Sequence, residues 1–387
     1  MVKNPFTPGL PIDPKQFVGR NEEIQTFVKS LEQSFYGNPQ NLAIMGDRGI
    51  GKSSLLKKFE SIAREQNCLV VRRDVDASVD SLQMLAYCIL RFLREEGKRY
   101  FSKSKKAQSI VSDFFQRYKI SVSISGFGGS VEKTLPIAIQ EELYDEMAKI
   151  AKNVQKQVRT AVIMLDETEH LQNIEGAWGF LRSVFTRLVE DGNHFMVVIC
   201  GKLGLFSNIR EIFSPMERFF YPREIGLLTP EETMEAFEKP MIANGRTVSE
   251  QAKKLVVKYT DGHPFIIQVF GYYLFESEER HIDETLFQKQ LPRVLERLKV
   301  QVFRDRLSSA SPREKDILRF MASSEKEIFK SADIMKPLKT KDASYVRNLL
   351  KRLVEKDCLR KISPGNYTFF HKLFKIYVRG ESQSNNS

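Results

Sequence analysis

The octet Gly46-Asp47-Arg48-Gly49-Ile50-Gly51-Lys52-Ser53 fits the spacing G-x-x-x-x-G-K-[ST], a pattern whose chemistry is phosphate binding. Its glycines let the backbone curl until several N–H groups face a phosphate chain. Lys52 can reach the β- and γ-phosphates, and the Ser53 hydroxyl can ligate Mg²⁺. A second group, Asp166-Glu167, follows the apolar run Ala161-Val162-Ile163-Met164-Leu165. Asp166 suits holding Mg²⁺ through water, and Glu167 suits polarising the water that attacks the γ-phosphate. A solvent-facing acidic pair at a strand end is the plain alternative. The predicted ligands are ATP or ADP with Mg²⁺, held by residues 46–53 and the adjoining Ser54.

These residues need elements to hold them. Leu42-Ala43-Ile44-Met45 reads as the strand that feeds the loop. Ser54-Leu55-Leu56-Lys57-Lys58-Phe59 reads as the helix after it, whose N-terminus adds partial positive charge. Residues 68–72, 161–165 and 195–200 are short apolar runs expected of buried parallel strands. Helices are expected from about residue 21, over 81–97 and over about 136–157. Alternating strands and helices predict an α/β, doubly wound parallel sheet with its ligand at the carboxyl ends of the strands.

Residues 1–16 are proline-rich and expected to wrap over the surface, and residues 98–135 read as an insertion. Thr229-Pro230-Glu231-Glu232 is a capping box with proline at the first helical position, opening a helical stretch to about residue 305. Between 312 and 370, three helices and a hairpin, turned by Ser363-Pro364-Gly365-Asn366, make a winged helix. Residues 381–387 are polar and expected to be disordered.

The loop and the acidic pair resemble the Walker A and Walker B boxes of the AAA+ superfamily. They are most similar to the archaeal-type ATPases of its STAND branch and to origin-recognition initiators. The resemblance runs from residue 17 to about 378. Phe17-Val18-Gly19-Arg20 is similar to the family's adenine-contacting box, and Gly262-His263-Pro264 resembles the GxP motif of the lid that closes over nucleotide. The resemblance implies a P-loop ATPase core (17–228), an α-helical lid (229–305) and a C-terminal winged-helix domain (306–380). It also places Arg218 near the position of a γ-phosphate arginine, with Arg210 and Arg223 as rivals. Cys200-Gly201-Lys202 stands where relatives carry a polar sensor, and the lid motif has no arginine. Phe370-His371-Lys372 resembles a Met-His-Asp motif whose histidine reaches the β-phosphate of ADP; here lysine replaces the aspartate, and a histidine packed in a small core is the alternative.

Charge suggests the partner. The formal net charge is +11, and residues 301–387 hold 19 Lys and Arg against 10 Asp and Glu. A basic module points to a polyanion, most simply double-stranded DNA. On the third helix of the winged helix, Lys341, Ser344, Tyr345, Arg347, Asn348, Lys351 and Arg352 face outward, and the hairpin adds Arg360 and Lys361. Arg and Asn suit base edges, and Lys and Ser suit phosphates. A solvated charged face is the alternative, as is a winged helix serving autoinhibition, self-assembly or a protein effector. No run is long and apolar enough for a membrane span, and residues 1–16 have no leader-like apolar core, so a soluble, cytoplasmic protein is expected. The four cysteines lie far apart and read as buried thiols.

Overall fold

A computed structural model describes residues 3–100, 136–203, 205 and 216–384. The expected insertion over 98–135 and the rival Arg210 therefore lie largely or wholly outside the described residues. The chain forms two compact units, Pro11–Gly226 and Met1–Leu10 with Leu227–Ser387.

The first unit is built on β1 (Asn41–Met45), β2 (Leu69–Asp74), β3 (Ala161–Asp166), β4 (Phe195–Gly201) and β5 (Phe220–Glu224). Their order is β2-β3-β4-β1-β5, and every pairing is parallel. β1, β3 and β4 are buried along their whole length, which explains why they read as unbroken apolar runs. Alternate residues serve opposite faces. Ala43, Leu69, Val71, Ile163 and Val197 share a core with α3 (Leu82–Gly97), α4 (Pro136–Val154) and α5 (Ala177–Glu190). The helices α1 (Asn21–Ser34) and α2 (Lys52–Glu65) meet through Phe27 and Phe59, stacked at 4.2 Å. α2 starts at Lys52, two residues earlier than the sequence suggested, because Gly51 at φ +97° turns directly into it. A short helix, α6 (Met216–Phe219), precedes β5.

The second unit begins with α7 (Pro230–Ala243), α8 (Glu250–Thr260), α9 (Pro264–Glu276) and α10 (Glu284–Leu298). Two-residue strands β6 (Thr247–Val248) and β7 (His281–Ile282) pair between them. Thr229 and Glu232 close the capping box in both directions. A π turn, Lys299–Phe303, leads from α10 into α11 (Arg304–Ser309). Then come α12 (Pro312–Ser323), β8 (Phe329–Lys330), α13 (Ser331–Met335), α14 (Ala343–Glu355), β9 (Leu359–Ser363), β10 (Asn366–Phe369) and α15 (Lys372–Ser384). The sheet order β8-β10-β9 beside three helices fits a winged helix.

One hydrophobic core runs from α7 through α10 into α14, β10 and α15. Two expectations are corrected here. Phe6, in the segment expected to wrap the surface, is 1% exposed. It packs where a Cβ on Gly271 would stand 2.2 Å from its ring, and Thr7 N donates to Gln268 Oε1 at 3.0 Å. Residues 381–384, expected to be disordered, continue α15, because Leu373, Phe374 and Val378 anchor that helix in the core.

Candidate functional site

The loop after β1 is shaped by three glycines in two ways. Gly49 and Gly51 have φ of +79° and +97°, in the region that favours glycine. Gly46 instead answers a close approach: a Cβ there would stand 2.8 Å from both Ile225 O and Ile50 Cγ2. Ile50 is buried and Arg48 is exposed, with Asp47 between. Gly46 N donates to Gly201 O at 3.2 Å, hooking the loop to the end of β4. The Lys52 ammonium folds into the loop and donates to Gly46 O at 2.7 Å and Asp47 O at 2.9 Å. Ser53 is half-buried in the first turn of α2. Ser54 is buried, and its Oγ accepts from Ile12 N at 3.2 Å, so its side chain holds the incoming chain.

Phe17 and Val18 are half-buried, and Gly19 and Arg20 both have positive φ, +75° and +60°. The Arg20 guanidinium donates to Gly226 O and, at 3.4 Å, to Ile50 O. This side chain therefore ties the turn before α1 to the phosphate-type loop, a role its motif did not announce.

β4 lies between β1 and β3, so the loop and Asp166 are separated by two strand spacings, about 10 Å. Asp166 is 3% exposed, and its Oδ1 accepts from Glu167 N at 2.9 Å. Glu167 is exposed, with a left-handed φ of +54°, which turns it out of the line of β3. Such a backbone costs a non-glycine residue roughly 1–2 kcal/mol. Thr168, which sequence reasoning missed, is buried, and its hydroxyl donates to Cys200 O at 2.9 Å. Asp74, also missed, is the register partner of Asp166. Burial raises its carboxyl above the ordinary value, and the Asp166 charge adds to the effect. Glu169 Oε2 is buried without a hydrogen bond.

Lys202 is exposed just after β4, and Arg218 is exposed near the end of α6. Arg223 is committed locally, donating to Thr26 Oγ1 at 2.9 Å with its guanidinium 5.2 Å from the Tyr221 ring.

The remaining nucleotide candidates lie in the second unit. Gly262 has φ +70°, and a Cβ there would stand 2.2 Å from Leu228 O. His263 is 5% exposed, and Pro264 opens α9. Burial pushes the His263 imidazole well below its ordinary value, with the His371 and Arg306 charges acting in the same direction. His371 is 1% exposed, 6.1 Å from His263 between ring centres. Its Nε2 donates to Thr260 O at 3.0 Å, and its Nδ1 accepts from Leu373 N at 3.1 Å. Both nitrogens are thus engaged inside this unit, the packed-core alternative for this residue.

On α14, Val346, Leu349, Leu350 and Leu353 are buried, so Ser344, Tyr345, Arg347, Asn348, Lys351 and Arg352 stand exposed on the other side, and Lys341 is exposed just before the helix. Asp342 Oδ1 caps the helix through the N–H groups of Ser344 and Tyr345. Lys351 pairs with Glu355 at 3.8 Å. Lys361 is exposed on the hairpin and Arg360 is half-buried. Among the described residues no helix is long and apolar enough to cross a membrane.

Residues 16–198 match the family described as the AAA ATPase domain. Residues 300–378 match a family described only as a domain of unknown function. A curated relative, an uncharacterized HTH-type transcriptional regulator of Methanocaldococcus jannaschii, is 23% identical over 220 residues. That match covers 55% of this chain and 50% of the relative, so the chain spans about half the relative's length. Among solved structures, a Walker-type ATPase of Pyrococcus abyssi is similar with a TM-score of 0.62 and 18% identity, over 94% of this chain and 97% of that one. The ADP form of the Aeropyrum pernix ORC2 protein is similar with a TM-score of 0.55 and 16% identity, over 98% and 97%. These likenesses concern the fold.

Proposed function

We propose, from the match of residues 16–198 to the AAA ATPase domain, that the chain binds ATP with Mg²⁺, hydrolyses it, and couples nucleotide state to duplex DNA through its winged helix. The observation that carries the first half is the Lys52 ammonium inside a loop hooked to β4, with Asp166 and Glu167 two strands away. The loop N–H groups and the α2 N-terminus hold phosphate. Lys52 exchanges its contacts with two carbonyls for phosphate oxygens. The Ser53 hydroxyl and the buried Asp166 carboxylate are hard oxygen donors that fit Mg²⁺. Mg²⁺ bound there would neutralise phosphate charge as it develops. Glu167, exposed and turned out of β3, orients and polarises the attacking water. Phe17, Val18 and the Gly19-Arg20 turn line the adenine side. For the γ-phosphate arginine we assign exposed Arg218 ahead of Arg223, which is held by Thr26; the other rival, Arg210, lies outside the described residues.

DNA binding is supported by the exposed Arg347, Asn348 and Lys351 of α14. The printed description of the curated relative, an HTH-type regulator, points the same way. The test is paired. Glu167→Gln should bind ATP yet turn it over at least about a hundredfold more slowly. Lys52→Ala should weaken ATP binding. Wild-type turnover by Glu167→Gln would sink the catalytic assignment. Fluorescence anisotropy with a duplex, with ATP and with ADP, should show salt-sensitive binding that changes with nucleotide. Binding to neither state would remove the DNA half.

A second reading has its own observation. The bond from His371 to the Thr260 carbonyl ties the winged helix to the last turn of α8. This supports a STAND-type switch in which lid and winged helix respond together, directed at self-assembly or a protein effector.

A further inference from the structure

The sequence directed attention to basic residues after 300, but the helix before them carries a separate cationic stripe. Lys289, Arg293 and Arg297 lie at i, i+4 and i+8 on α10, so they share one face at a rise of about 6 Å per step. Lys289 and Arg293 are exposed and Arg297 is half-buried. Among the described residues none of the three joins an ion pair, although many other Lys and Arg of the chain do.

Their head groups are held by neutral partners instead. The Arg293 guanidinium lies 5.0 Å from the Tyr273 ring centre. That of Arg297 lies 5.0 Å from Tyr272 and 5.8 Å from Tyr273. Arg293 donates to Gln290 at 3.2 Å, and Arg297 to Gln301 at 3.0 Å. A guanidinium has five N–H donors, so each keeps most of them for a ligand while its plane is fixed by a tyrosine. Arginines held in place without an ion-pair partner suit an anion supplied from outside. Glu284 lies off this stripe; Glu296, three residues from Arg293, shares its face but forms no ion pair with any of the three among the described residues.

We propose that Lys289, Arg293 and Arg297 form a second contact with the phosphate backbone of duplex DNA; this rests on the DNA-binding reading above. Three cations at regular steps of about 6 Å suit a regularly spaced polyanion better than an irregular acidic protein surface. The fold couples this stripe to the winged helix. α10 continues through the π turn, where Phe303 packs 5.6 Å from Phe374 and 5.7 Å from Tyr377. Both surfaces thus stand on one hydrophobic core.

The test is duplex binding by fluorescence anisotropy across a salt series, using the full chain. The variants are Lys289→Gln with Arg293→Gln and Arg297→Gln, and separately Arg347→Ala with Lys351→Ala. Glutamine keeps helix propensity, and thermal melting checks that each variant folds. The triple variant should lower affinity about tenfold or more and make the log–log salt slope shallower by about 2.7, at 0.9 per lost phosphate contact. Arg293→Lys with Arg297→Lys should keep the wild-type slope, because the charges remain. A triple variant with wild-type slope and affinity, beside a weakened Arg347/Lys351 variant, overturns this inference and leaves the DNA reading standing. Wild-type protein that binds no duplex overturns both. Loss of binding to polyglutamate, with duplex binding intact, would assign the stripe to an acidic protein and overturn the inference.

Discussion

Acid should loosen the second unit through His371, and the size of the effect can be worked out. Burial pushes the His371 imidazole down from 6.5 to about 4. The Thr260 carbonyl and Asp261 oppose that shift, while Lys372 and Arg360 add to it. Protonation would also turn Nδ1 into a donor facing the Leu373 N–H that it now accepts from. With a folded value below the unfolded one, the unfolded chain binds the proton first. Stability from the neutral ring is therefore complete above about pH 6.5 and lost as pH falls toward 4. A difference of 2.5 at 1.36 kcal/mol per unit gives about 3 kcal/mol. His263 titrates in the same direction.

Other groups also respond to acid, so the comparison is with His371→Asn, whose Oδ1 can keep the Leu373 bond and which does not titrate. At pH 7.5 the variant should be less stable, having lost the bond to Thr260, worth about 1 kcal/mol, and some packing. The stability difference should therefore move by about 3 kcal/mol in the variant's favour as pH falls from 7.5 to 4. Urea unfolding read by far-UV circular dichroism measures it. The single tryptophan, Trp178, lies in the other unit, so its fluorescence shows whether the two units unfold separately. A gap that stays constant with pH would refute the assignment of a neutral, doubly bonded His371.

Two further outcomes follow from packing. Phe6→Ala should destabilise the second unit by about 3–5 kcal/mol in the same urea experiment, because it empties a fully buried ring site against Gly271 and Phe237; a loss under about 1 kcal/mol would mean that residues 3–10 are not part of that core. Burial pushes the Cys68 and Cys358 thiols up to about 12, and Cys200 is raised as well. A disulfide reagent at pH 8 should therefore modify them slowly in the folded chain and quickly in urea, and rapid labelling of all four thiols in buffer would contradict that burial.

The parts of this fold legible in the sequence are those whose cause is local. Buried parallel strands announce themselves because both faces are covered, which forbids alternation in β1, β3 and β4. The helix starts at Thr229 and Ser311 were visible or closely bracketed because a capping box closes within four residues. The loop of residues 46–53 was readable for the same reason, since its glycines and its lysine act within one turn. What stayed hidden depends on partners far away in the chain. Phe6 reads as one apolar residue in a proline-rich stretch until Gly271 leaves room for its ring. β6 and β7 have two residues each, too few to show a period.

The candidate site makes the same point in its chemistry. Residue types marked Lys52, Asp166 and Glu167, but their relative placement comes from backbone hooks between strands that no motif encodes. Gly46 N reaches Gly201 O, and the Thr168 hydroxyl reaches the neighbouring Cys200 O. The end of β4 is thus tied on one side to the loop and on the other to the turn that carries Glu167. Cys200-Gly201, which reads as a departure from a polar sensor, is thus where both hydrogen bonds attach. A Cβ on Gly201 would stand 2.7 Å from Leu205 Cδ2, the end of a flexible side chain, and 3.3 Å from the Thr168 hydroxyl that makes one of these bonds. A methyl at residue 201 would therefore bear on Leu205 and on the Thr168 hydroxyl beside Glu167, while leaving every motif residue in place.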